Sequence, residues 1–384
     1  MIDDGFATFS LDLSPDEEAR ASRLQTESTI VDMIWWGPVT HRSYTTEMDA
    51  VLRCGFDAHG DIGQLMDAAM RLPGRMAVAG TLPEYRSNWD QSGITAGHYE
   101  VQVGDARALL DGITHVDYLV DHLPWLRKAL SVDDIRSAKR DGGHALYVEC
   151  QPTTSISRDI GLIDAAYDGG LRSLQLTYNV QDVVGCGCTD RTGGGISDFG
   201  ATLIERLNQL GVIVDAAHCS KQTILDACAL SSAPVLMSHT GASALHRHDR
   251  TIDDESAEAI AGTGGLVGVV TVPFFLGSGD ADLGIMLDHI DHFVRLLGAE
   301  HVGIGTDWPM AAPKWVMVEF DRLIRSQGFK PEHGIVTTQN LVGFDDYRDF
   351  PNITRGLVAR GYTDDQIRGM LGENFIRLFS AVCG

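Results

Sequence analysis

The sequence is short of basic residues. Thirty Lys and Arg stand against 53 Asp and Glu, for a formal net charge of -23. Phosphate backbones are bound by clustered Lys and Arg, so no nucleic-acid partner is expected, and the acidic excess reads as solubility. Long apolar runs are missing as well. No stretch reaches the roughly 18 uninterrupted apolar residues of a spanning helix. The acidic start MIDDGFATFSLDLSPDEEAR lacks a basic region followed by an apolar one. A cytoplasmic protein with no membrane partner is therefore expected. Seven cysteines, an odd number without framework spacing, fit a reducing compartment. Cys186 and Cys188 in VVGCGCTD form the only close pair, read either as a metal-binding C-x-C or as incidental thiols in a Gly-rich loop. No Gly-rich dinucleotide fingerprint follows the first apolar run, and no internal repeat stands out.

What is present is alternation. Ser14 as cap, Pro15 at the first helical position and DEEARASRLQ behind them predict an N-terminal helix within a lead-in over 1–27. Short β-rich runs then recur at 28–34, 93–103, 144–150, 171–177, 211–217, 234–239, 264–272 and 301–306. Amphipathic helical patterns lie between them, among them SDFGATLIERLNQLG, which opens on Ser197 and closes on Gly211. Strands alternating with helices pair in parallel through right-handed crossovers, and eight such units predict an α/β fold of the (β/α)8 TIM-barrel type. The whole chain, 1–384, reads as one domain. A long connection over 35–92 and an excursion over 308–353 after the last strand interrupt the pattern. Loops of that length carry substrate or oligomer contacts, so a homodimer is one expectation.

In such a barrel, catalytic groups come from the C-terminal ends of different strands. Polar residues fall there in this sequence. Glu149 ends ALYVE, Tyr178 and Asn179 follow LQLT, His218 ends VIVDAAH, His239 ends PVLMSH, and Asp307 ends VGIGTD. Histidine and carboxylate both suit Zn²⁺ and related ions, so Glu149, His218 and His239 are candidate metal ligands from three strands.

The segments LNQLGVIVDAAHCS, APVLMSHTGASALHRHDRTIDDESAEAIAGTGGLVGV, LDHIDHFVRLLGAEHVGIGTDWP and PNITRGLVARGYTDDQIRGMLGENFIRLF resemble the membrane (renal) dipeptidase family, the M19 metallopeptidases of the amidohydrolase superfamily. The resemblance implies a glutamate bridging two zinc ions at Glu149, two histidine ligands at His218 and His239, a carboxylate-binding arginine at Arg250, and an aspartate near the reacting water at Asp307. It also exposes departures. The family's first-strand His-x-Asp pair falls on Ile34 and Trp36, neither able to ligate a metal, and a substrate-contacting histidine falls on Tyr178. Another His-x-Asp, His59 and Asp61, lies in the long connection and reads either as a rebuilt second metal position or as a loop histidine beside a helix cap. His98 lies in the second strand run, and His246 and His248 lie near Arg250.

The expectation is a metal-dependent hydrolase with about one zinc or other divalent ion per chain. It would act on an amide, peptide or ester bond of a small carboxylate-bearing substrate and turn over ordinary dipeptides poorly. Asp307 is the candidate base and Tyr178 the candidate oxyanion donor. Arg250, Asn179 and Trp36 are candidate substrate contacts. A lyase or isomerase on the same barrel, or an inactive binding protein, are the alternatives.

Overall fold

A computed structural model describes residues 9–40, 43–101, 105–278 and 280–384. Residues 1–8 of the expected lead-in, and 102 and 103 of the expected second strand, lie outside the described residues. Among the described residues nine parallel strands follow one another: β1 Val31–Asp32, β2 Ala96–Val101, β3 Leu126–Lys128, β4 His144–Cys150, β5 Leu171–Gln175, β6 Ile213–Asp215, β7 Val235–Thr240, β8 Leu266–Val269 and β9 Val302–Ile304. They pair in the order β1-β2-β4-β5-β6-β7-β8-β9, with β3 beside the first residues of β4. Met33 N–H donates to the Ile304 carbonyl at 3.0 Å and Asp307 N–H to the Ile34 carbonyl at 2.7 Å, which brings the last strand back to the first. The eight-strand barrel expected from the alternation is the fold. The ninth strand, β3, was not in the expected set. Its three residues include Arg127 and Lys128, and a run so short and charged carries no periodicity.

The helices form where the sequence signals them. Ser14 caps Pro15–Glu27 in a capping box with Glu17. Ser197 caps Asp198–Leu210 by accepting from Gly200 N–H at 3.1 Å, and Gly211 ends that helix at φ 79°, a conformation Gly adopts without strain. Leu203, Ile204 and Leu207 of this helix are buried, so its apolar face packs inward. Among the described residues, no helix is long and apolar enough to cross a membrane.

Side chains along a strand alternate between the two faces of the sheet. One end of the barrel interior is apolar. Val31, Met33, Ala96, Ala145, Tyr147, Ile213, Leu236 and Leu266 cluster there with Phe375, Leu378 and Phe379 of the last helix, Asn374–Cys383. The Tyr147 and Phe375 rings stand 5.2 Å apart. The last helix thus closes the end away from the loops, and the polar groups collect at the other end. Phe379 is fully buried, and truncating a buried Phe costs about 3–5 kcal/mol. Phe379→Ala should lower the urea midpoint by that loss of stability; an unchanged midpoint would mean that the helix does not seal the barrel.

Candidate metal centre

Two histidines converge at the C-terminal end of the strands. His218, three residues beyond β6, and His239, on β7, are both buried, and their Nε2 atoms stand 2.9 Å apart. A local distortion turns His239 inward: the register of β7 against β8 shifts between Met237 and Thr240. Gly268 on β8 and Gly305 just beyond β9 let the backbone before His239 pack closely. A Cβ at Gly268 would lie 2.0 Å from the Ser238 carbonyl oxygen, and one at Gly305 only 1.9 Å.

The partners of each imidazole fix its proton. Asn179 donates its amide N–H to the Gln327 carbonyl at 3.1 Å, which leaves its Oδ1 to accept from His218 Nδ1–H at 2.7 Å. Ser238 Oγ donates to Asp215, so it accepts from His239 Nδ1–H at 2.8 Å. Asp215 is itself held by Ala217 N–H and Ser238 N–H, each at 3.0 Å. Both Nε2 atoms therefore carry lone pairs that face each other, and they repel unless a positive charge lies between them. Burial, with the Arg250 charge added, holds both imidazoles well below their ordinary pKa, so a proton is a poor occupant. A divalent cation fits. Two nitrogens on one tetrahedral ion stand about 3.3 Å apart, close to the spacing found, and orientation through Nδ1 is the usual outer support of metal-binding histidine.

Other expected residues are placed as follows. Asp307 Oδ2 lies 3.9 Å from His239 Nε2, and burial pushes its pKa up to about 7 against the pull of Arg250. Glu149 is fully buried near the end of β4, and its carboxyl meets that of Asp215. Among the described residues, no three His, Cys, Asp or Glu side chains close into a ligand group. The Tyr178 ring stacks on His218 at 4.1 Å. Asn179, expected at the substrate, is fully buried and orients His218.

The two first-strand tryptophans divide. Trp35 is core, packed on Trp89 at 4.8 Å and Tyr347 at 5.3 Å. Trp36 borders the centre and donates its indole N–H to the Asp307 carbonyl at 2.6 Å. His98 is buried. Its Nδ1 accepts from Trp35 N–H at 2.9 Å, its Nε2 has no protein partner, and burial lowers its pKa to about 3. His59 is exposed at a helix end, and Asp61 caps the next helix through Gln64 N–H at 3.0 Å, so this pair does not approach the centre.

Arg250 is 2% exposed, with Nε and Nη2 unpartnered and its guanidinium 5.4 Å from the centre of the Phe275 ring. Asp249 does not neutralise it; that carboxylate turns to His333 at 3.1 Å and Lys330 at 3.8 Å. His248 accepts from Arg250 N–H at 3.0 Å and packs on Phe275 at 4.8 Å, while His246 lies 6.3 Å from His248. Cys186 is buried and away from the imidazole pair's hydrogen bonds, whereas Cys188 reaches Asn179 Oδ1 at 3.4 Å. Burial pushes the Cys188 thiol up to about 11, which leaves it unreactive. Reading the sequence missed Asp215, Ser238 and Asp32, whose carboxylate accepts from Thr306 N–H at 2.9 Å beside Asp307. A carboxylate isolated inside an apolar run, as in VIVDAAH and STIVDM, is the signal that marks two of them.

A parallel barrel with paired imidazoles at its loop end defines a class, the metal-dependent hydrolase barrels. Within it, the chain belongs to the membrane dipeptidase family (peptidase family M19), whose pattern matches residues 18–318. Membership in that family implies a divalent ion and supports a metal-dependent hydrolase. An amidohydrolase from Pseudomonas aeruginosa is similar in structure, with a TM-score of 0.74 and 25% identity over 94% of this chain and 98% of that one. The probable dipeptidase PvdM from the same organism matches with a TM-score of 0.70 and 19% identity, over 96% and 99% of the two chains. A metallopeptidase from Rhodobacter sphaeroides, liganded with a phosphinate mimic of the dipeptide L-Ala-D-Ala, matches at 0.63 and 20% identity, over 76% and 88%.

If Ser238 sets the His239 tautomer, Ser238→Ala should weaken zinc binding by about 10–100-fold, the usual loss when such a support is removed. Competition with a zinc indicator would measure this; unchanged affinity would show that the assigned tautomer is wrong.

Proposed function

We propose that the protein is a hydrolase with one divalent ion per chain, cleaving a C–N or ester bond in a small carboxylate-bearing substrate. The observation that carries this reading is the pair of opposed imidazole acceptors, with Asp307 on one side and the open donors of Arg250 in reach. His218 and His239 would hold the ion, and Glu149 would join them by turning from Asp215. Bound there, the ion supplies the positive charge that polarises a carbonyl and acidifies a water. At Ile34 and Trp36 there is no donor for a second ion, which supports a single one.

Arg250 binds the substrate carboxylate through two parallel N–H donors, a pairing that Lys cannot imitate. Asp307 takes the proton of the attacking water as its oxygen bonds to the carbonyl carbon. Tyr178 hydrogen-bonds the oxygen on which negative charge develops. The C–N bond then breaks, Asp307 returns the proton to the leaving nitrogen, and an acid and an amine result. The substrate is a small molecule, a reading the dipeptide mimic in the Rhodobacter sphaeroides metallopeptidase supports. Seven cysteines, none in a disulfide, support a reducing, cytoplasmic setting.

Elemental analysis of the purified protein should find about one transition-metal ion per chain; two would overturn the single-ion reading. Asp307→Asn should keep the ion and the fold while lowering kcat by about 10² or more, since a general base contributes 10²–10⁴. Near-normal turnover would place the proton elsewhere, and loss of the ion would make Asp307 a ligand. Hydrolysis in ¹⁸O water should put one labelled oxygen in the acid, which an elimination would not.

A further inference from the structure

A half-open cavity lies beside the imidazole pair, and His218 and Asp307 belong to its lining. Aromatic rings make up most of the rest. Trp36 and Phe274 follow β1 and β8, while Trp308, Phe320 and Phe329 come from the excursion after β9. The rings stand as walls and not as a stack: Phe320 lies at 76° to Trp36 and Trp308 at 72° to Phe274, with centroids 6.2 and 6.1 Å apart. Both indole N–H groups are engaged, that of Trp36 with the Asp307 carbonyl at 2.6 Å and that of Trp308 with the Gln339 carbonyl at 2.9 Å. Trp36, Phe274 and Phe320 are only half-buried, so ring surface is left for a ligand.

Such a lining has a sign. The face of an aromatic ring is negative, Asp307 is the single carboxyl side chain in the lining, and no Lys or Arg belongs to it. Phe275 also lines the cavity, but the Arg250 guanidinium already lies 5.4 Å from its centre. Among the described residues, no Lys or Arg covers Trp36, Phe274, Trp308, Phe320 or Phe329. An ion at the imidazole pair would oppose a second positive charge, and Asp307, 3.9 Å from His239 Nε2, is placed to screen the two.

The scarcity of acceptors says which cation. A primary ammonium has three N–H donors and holds its water firmly. Besides Asp307 and the two indoles, only Tyr178, His218 and Thr337 bring polar side-chain atoms to the lining. N-methylation removes donors and loosens the hydration, and ring faces are what a methylated ammonium packs against.

We propose that this cavity is a subsite for an N-methylated ammonium, tertiary or quaternary, which the substrate carries in addition to its carboxylate. The proposal rests on the hydrolase reading only in calling the bound molecule a substrate. The excursion after β9 is then the specificity element, because it brings three of the rings.

Choline and 3,3-dimethylbutan-1-ol have the same shape and differ by a charged nitrogen against a carbon, and ethanolamine keeps the charge but has no methyl groups. Titration calorimetry on the purified full chain should find choline bound about tenfold more tightly than either. Equal binding of the neutral alcohol, equal or tighter binding of ethanolamine, or binding of none would overturn the proposal. Trp36→Leu, which keeps an apolar wall without the ring, and Asp307→Asn should each weaken choline severalfold and leave the alcohol unchanged; choline affinity unaltered in both would place its binding elsewhere and overturn the proposal. In hydrolysis, N,N-dimethylglycylglycine should exceed glycylglycine in kcat/KM at least tenfold. Equal turnover of the two would overturn the subsite and leave the hydrolase reading standing, whereas the preference for choline without hydrolysis of either would sink the hydrolase reading and uphold the subsite.

Discussion

The barrel depends on a carboxylate that joins its first strand to its last. Asp32 accepts from Thr306 N–H at 2.9 Å and from Thr306 Oγ at 2.6 Å, and from Ile34 N–H at 3.3 Å. β1 has two residues and β9 three, so the backbone alone offers few bonds at this seam. Burial drives the Asp32 pKa up to about 7, and these hydrogen bonds oppose the shift by favouring the charged form. The same seam sets Trp36 against Asp307. Trp36 closes this side of the site, its indole N–H on the Asp307 backbone carbonyl.

Above the seam, the site is organised by hydrogen bonds that run outward from Asp215. That carboxylate holds Ser238, Ser238 orients His239, and Asn179 orients His218 from the opposite side. Each imidazole is thus aimed by a neighbour outside the centre, and the apolar end of the barrel keeps water from competing for these groups. Arg250 adds a buried cation that Asp249 does not neutralise. Its charge lowers the proton affinity of both histidines and opposes the rise at Asp307, so it acts on the centre electrostatically and presents open donors to an anion.

Much of this was legible in the sequence because apolar runs ending in a polar residue are local signals. Seven of the eight expected strand runs contain a strand of three residues or more, and His218, His239 and Asp307 meet where their strand ends place them. The rest depends on contacts between distant parts of the chain. Nothing local shows that Asn179 would spend its amide on His218 and Gln327, or that Glu149 would face Asp215. Trp308, Phe320 and Phe329 line a cavity with Asp307 and His218 only because the excursion folds back over the strands. The two tryptophans of IWWGP are equivalent as sequence. Alternation sent one into the core and the other to the site.

Three residues that serve this centre hold left-handed backbone: Asn179 at φ 50°, His218 at 61° and Asp307 at 56°. Each such conformation at a residue other than glycine costs on the order of 1–3 kcal/mol, with Asn and Asp at the lower end. Glycine would relieve the strain at any of them and remove the side chain in the same step. Asn179 and His218 resist that exchange through the hydrogen bonds they make, so these two side chains anchor the strained backbone that carries them.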